Sequence, residues 1–151
     1  RELLNARIAE LRSHIGEGSL RECLARSLLY VGMARGSVDE RALAAIRRLR
    51  AVHDDKPRLT LADFKALIRE QFFMLLIDEE AALAAIPQLL PADRELRRKA
   101  FATLRQVVSA RGEVTGEAAE RFERVAGLFG VEAPAAVPLA DRRSEKSRKA
   151  S

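Results

Sequence analysis

One thiol, two imidazoles, two acidic clusters and one arginine-rich helix are the groups in this sequence with catalytic or ligand-binding potential. A nucleophilic cysteine needs a depressed pKa, a base and access to solvent. Cys23 lies early in a helix opened by Ser19, on an apolar face with Leu20 and Leu24, and neither His14 nor His53 is near it in sequence. That setting predicts a small core hydrophobe. Both histidines read as polar surface or helix-end residues. The acidic clusters are Asp54-Asp55 and Asp78-Glu79-Glu80. Calcium or magnesium needs several oxygens converging on one point, and neither cluster has the alternating acidic spacing of an EF-hand loop. Asp78, Glu79 and Glu80 better suit a helix start, where carboxylates meet the positive end of the dipole. They and Asp54-Asp55 are the candidate cation ligands, and no complete metal set follows from them. Paired carboxylates for acid–base chemistry come without a nucleophile or a pocket signature. No catalytic residue and no cofactor is predicted.

Arg94, Arg98 and Arg105 fall within one narrow sector of a basic helix, beside Phe101. Such a stripe could meet phosphates or an acidic partner helix. A solvated face beside a core aromatic is the simpler reading. The chain has no glycine-rich phosphate loop, zinc-ligand spacing or nucleophile elbow. Its net charge of +5 is unevenly placed: residues 136–151 hold five cations against two anions, leaving only +2 elsewhere. A basic tail, not a basic domain, sets the charge, so nucleic acid is not the expected partner.

The elements that must position these groups are helices. Hydrophobic residues make up 48% and charged residues 32% of 151 residues, with no Trp, one Tyr and much Ala, Leu, Arg and Glu. This suits one helical domain with a proper core. Leu4, Ile8, Leu11 and Ile15 form one stripe, ended at Gly16 and Gly18. Ser19 with Glu22, and Ser37 with Glu40, are capping boxes opening the next two helices. The third helix runs to about His53. Thr60 and Asp63 restart a helix that becomes apolar all round through Phe72–Ile77, predicting a central buried helix. A short Ala-rich helix follows, which Pro87 bends or ends. Two more run to Ala110 and from Gly116 to Phe129, with Gly130 as the stop. The expectation is an all-α bundle of about seven helices over residues 1–131. Residues 132–151 read as a disordered basic tail.

One cysteine excludes an internal disulfide, and no apolar run approaches a membrane span. These features predict a cytoplasmic protein. The chain opens on Arg1, without an initiator Met, as a fragment or processed form would. Ala34-Arg35-Gly36-Ser37-Val38 recurs as Ala110-Arg111-Gly112-Glu113-Val114, each between two amphipathic helices. An internal duplication around the apolar helix would account for this.

Leu28–Gly36 (LLYVGMARG) and Phe64–Leu76 (FKALIREQFFMLL) resemble the C-terminal helical region of bacterial polyhydroxyalkanoate-synthase-like α/β-hydrolases. The similarity covers about two thirds of the chain. It implies an accessory role: packing on an upstream hydrolase domain, self-association, or docking to a partner or polymer granule. The nucleophile of such an enzyme would lie upstream, and Cys23, in Arg-Glu-Cys-Leu-Ala, lacks the flanking glycines of the synthase elbow. The two glycine turns are more loosely similar to those of tellurite-resistance TerB-like domains, duplicated all-α bundles. TerB-like turns usually carry Asp before the Gly, where this chain has Arg35 and Arg111. Three functions follow as expectations: a non-catalytic accessory domain, a TerB-like cation-responsive stress domain, or a weak electrostatic binder of nucleic acid or surfaces.

Overall fold

The computed structural model describes residues 1–36, 40–49, 59–110 and 112–131. They form helices α1 (Glu2–His14), α2 (Leu20–Ala34), α3 (Glu40–Leu49), α4 (Leu61–Ile77), α5 (Glu79–Ala84), α6 (Ile86–Leu89), α7 (Arg94–Ser109) and α8 (Gly116–Phe129). No strand occurs among the described residues. Asp54, Asp55, His53, Arg111, the Ser37 cap and the tail 132–151 lie outside them.

Helix starts follow side-chain chemistry. Glu22 Oε2 accepts from the Ser19 backbone N–H at 2.7 Å, the reciprocal half of the capping box on α2. Thr60 Oγ1 accepts from Asp63 N on α4, and Asp93 Oδ1 from Glu95 N on α7. Asp78 is both the end of α4 and the cap of α5, accepting from Ala81 N at 3.1 Å. The Ala-rich helix ends at Ala84, because Pro87 can neither donate to Leu83 O nor fit against it in a continuous helix, and Pro87 sits in the first turn of α6, where its missing N–H costs nothing. The described residues therefore hold eight helical segments rather than about seven, two of them short.

The central helix is α2, not α4. From Cys23 to Gly32 every residue of α2 is buried, and α3, α4, α6, α7 and α8 all pack on it. α4 buries Phe64, Gln71, Met74 and Leu75, yet leaves Phe73 43% and Leu76 56% exposed. The cause is helical pitch. Phe73 follows Phe64 by nine residues, about two and a half turns, and so points the opposite way. α4 packs on α1, α2 and α5 and still leaves part of its apolar surface uncovered.

The end of α2 lies against the end of α7. Gly36 (φ +82°) and Gly112 (φ +122°) both take up positive φ, which suits glycine. Arg35 Nη1 donates to Val108 O at 3.0 Å, joining the end of α2 to the end of α7. α2 packs on α8 as well as α3, and α7 packs on α3 as well as α8. Phe101 stacks on Phe122 at 5.1 Å and tilts against Phe129 at 5.5 Å, closing the core between α7 and α8.

Candidate functional site

Cys23 is completely buried on α2, and burial pushes its thiol up to about 12. The adjacent Ser27 hydroxyl is committed to the Cys23 carbonyl at 2.7 Å. A thiol so placed stays protonated and out of reach of a substrate.

One turn further along, α2 buries a cation that sequence reasoning did not single out. Arg26 is 0% exposed. Its Nε donates to Gln71 Oε1 at 2.9 Å, and Nη1 donates to Ile15 O (3.0 Å) and Ala82 O (2.8 Å). Nη2 lies 3.2 Å from Met74 Sδ. No carboxylate is among these partners, and burial lowers the Arg26 pKa from its ordinary value. The guanidinium joins α2 to the end of α1, to α4 and to α5. Only its spacing on an otherwise apolar helix could have flagged it: Arg26 lies between Cys23 and Leu29, where a solvated arginine does not belong.

Two of the acidic candidates are engaged in structure. Asp78 caps α5, and Glu80 Oε2 accepts from Arg124 Nη2 at 2.8 Å. Glu79 is exposed in the first turn of α5. Among the described residues no three His, Cys, Asp or Glu side chains are placed to hold a metal ion. His14 lies at the end of α1, with Nδ1 2.6 Å from Glu17 Oε2, and this contact raises its pKa above the ordinary 6.5. It borders a polar pocket of about 370 Å³ with Glu17, Glu22, Asp63 and Glu70 at the walls. Glu22 there is already held by the cap of α2.

The arginine stripe divides. Arg94 and Arg98 are exposed, whereas Arg105 is half-buried with its guanidinium 5.2 Å from the Phe101 ring centre. Phe101 itself is core. Arg105 thus serves as a cation–π lid on the α7–α8 aromatic cluster, and only two of the three expected cations face solvent.

The feature with most binding character is an apolar groove between α1 and α4. Leu4, Ile8 and Leu11 line one wall and Ala66, Phe73 and Ile77 the other, enclosing about 390 Å³. The stripe expected to pack α1 inward does so only at its end: Leu11 and Ile15 are buried, while Leu4 is 62% exposed. Arg7, Arg69 and Glu70 flank the groove. Every large apolar side chain left exposed among the described residues (Leu3, Leu4, Leu61, Phe73 and Leu76) sits on α1 or α4. Leu4 and Phe73 of these line the groove, and apolar side chains gathered in one groove mark an interaction surface more often than scattered exposure does.

Over 141 residues, 93% of its length, the chain is 57% identical to an uncharacterised protein of the ackA 5′ region of Rhizobium meliloti. The chain spans only 19% of that relative's length. No protein-family model matches the chain, and no solved structure matches it significantly. No described helix is long and apolar enough to cross a membrane.

Proposed function

We propose that this chain is a non-catalytic helical accessory domain of a larger, polyhydroxyalkanoate-synthase-like protein, working through helix-face contacts. The observation that carries the reading is the α1–α4 groove, whose two walls are lined by apolar side chains, with Leu4 and Phe73 exposed. Cys23 is sealed in the core, and the acidic residues at 78 and 80 are engaged in a cap and an ion pair. The synthase-like part of the reading is supported by the Leu28–Gly36 and Phe64–Leu76 phrases, and the larger protein by a relative about five times as long.

As a finer fold reading, paired positive-φ glycine turns and the crossed packing of α2 on α8 and α3 on α7 favour a duplicated, TerB-like bundle. A cation-responsive role does not accompany it, because Arg35 and Arg111 stand where TerB-like turns carry Asp.

Two measurements test the proposal. The purified chain, offered acyl-ester and hydroxyacyl-thioester substrates, is expected to give no turnover. Turnover that survives Cys23→Ala and depends on other residues of this chain would overturn it. The full-length reading frame is expected to encode an α/β-hydrolase ahead of this stretch, and its absence there removes the synthase-like assignment.

A further inference from the structure

We infer that the α1–α4 groove is the seat of an apolar helix from the remainder of the same polypeptide, and that this contact fixes the domain to its neighbour. The inference rests on the accessory-domain reading and adds the surface and the chemistry of the partner.

Three observations lead to it. First, the groove is apolar on both walls and open to solvent: Phe73 and Ile77 on α4 line it with Leu4 and Ile8 on α1, and Leu4 and Phe73 are exposed. Its width is that between two packed helices, and its apolar side chains repeat at helical spacing on each wall. A third helix with apolar residues at i, i+3 or i+4, and i+7 matches such a groove. Second, the flanking charges are of both signs, Arg7 and Arg69 with Glu70. Arg7 is itself paired with Glu10 at 3.1 Å, so the rim is close to neutral, which favours a partner helix with a mixed polar face over a polyanion or an anionic membrane, each of which needs a net cationic rim. Third, the homologous stretch in the Rhizobium meliloti protein is one fifth of a much longer chain. A domain so embedded has a neighbour at high effective concentration without any separate partner, and interfaces between domains of one chain are of modest size. A local groove of this size is in keeping with such an interface.

The test is photo-crosslinking in the intact long protein. Residues of this chain replace the matched stretch of the complete Rhizobium meliloti protein, with a benzophenone amino acid at position 73 in place of Phe73. The same amino acid at exposed Arg98 is the control. The expected result is an intramolecular crosslink from position 73 to a peptide outside the transplanted stretch, and none from position 98. Crosslinking only within the stretch overturns the inference, and so does a covalent dimer, which would make the occupant a second copy. Should the hybrid misfold, the unaltered relative labelled at the position aligned with Phe73 gives the same readout. A crosslink to a segment that is not hydrolase-like would leave this inference standing and remove the synthase-like assignment.

Discussion

Arg26→Met isolates the contribution of a buried charge that has no carboxylate partner. Methionine retains most of the volume and the unbranched stem, so the change removes the guanidinium without opening a large void. Three oxygens then lose their donor: Ile15 O, Ala82 O and Gln71 Oε1. Each buried acceptor left unpaired costs about 1–3 kcal/mol, a gross loss of roughly 6 kcal/mol. Against this, the variant no longer holds a cation away from water, which returns several kcal/mol. The net expectation is a destabilisation of about 3 kcal/mol, a large share of a typical domain's stability of about 5–15 kcal/mol. Urea unfolding followed by far-UV circular dichroism measures it, with an unchanged slope and a lower midpoint. Because Ile15 O lies at the end of α1, amide exchange should accelerate in α1 before it does in α8. Adding Gln71→Leu removes one orphaned acceptor, so the double variant should fall short of the sum of the singles by about 1 kcal/mol. If Arg26→Met is as stable as the parent, or more so, the guanidinium does not tether these helices and the account of α1 docking is wrong.

Three further outcomes are expected of the same molecule. Native Cys23 should resist a disulfide exchange reagent at pH 8 and react promptly in denaturing urea, since burial holds its thiol near 12; labelling of the folded chain within seconds would contradict that. The His14 ring should titrate by NMR above 6.5, and Glu17→Gln should bring it back towards 6.5. Because folding raises this pKa, the His14 contribution to stability is fully present below the ordinary value and fades as pH rises through the raised one. Gly36→Ala should cost about 1 kcal/mol in urea unfolding through its positive φ alone, because nothing lies within 4 Å of an added Cβ. No measurable loss would mean the turn relaxes.

Helix positions were legible wherever local chemistry dictates them. Ser19, Thr60, Asp93 and Gly130 each act at a helix end through a hydrogen bond or a left-handed φ that depends only on nearby residues. Which helix becomes central is not a local property. Phe72–Ile77 is the more apolar segment, yet α2 lies in the middle because it meets partners on all sides, including through Arg26, whose charge makes α2 look less buried than it is. The arginine stripe shows the same limit. Angular position placed Arg94, Arg98 and Arg105 together, but a long side chain can fold back over a neighbouring ring, as Arg105 does over Phe101. Asp78 was legible as a helix-start residue; its double duty between α4 and α5 was not, since it depends on where α4 stops.

The separation of the stable centre from the apolar edge has a mechanical consequence. α2 is held on five sides, whereas α1 buries only Leu11 within its length and is fastened at its end by Ile15 and the Arg26 hydrogen bond. The outer turns of α1, with Leu3 and Leu4 exposed, have little of their own to order them, and a short helix in water is marginal. A helix seated against Leu4, Ile8 and Phe73 would therefore do two things at once: remove apolar area from water, and extend the fastening of α1 from its last turn to its first. At about 25 cal/mol per Å², each ~100 Å² of that surface covered is worth roughly 2.5 kcal/mol before the costs of ordering the partner. Those costs are low when the partner belongs to the same chain. The same arithmetic explains why the groove sits at the edge and not around α2: apolar surface left there can be buried by a neighbour without disturbing the core that holds the domain together.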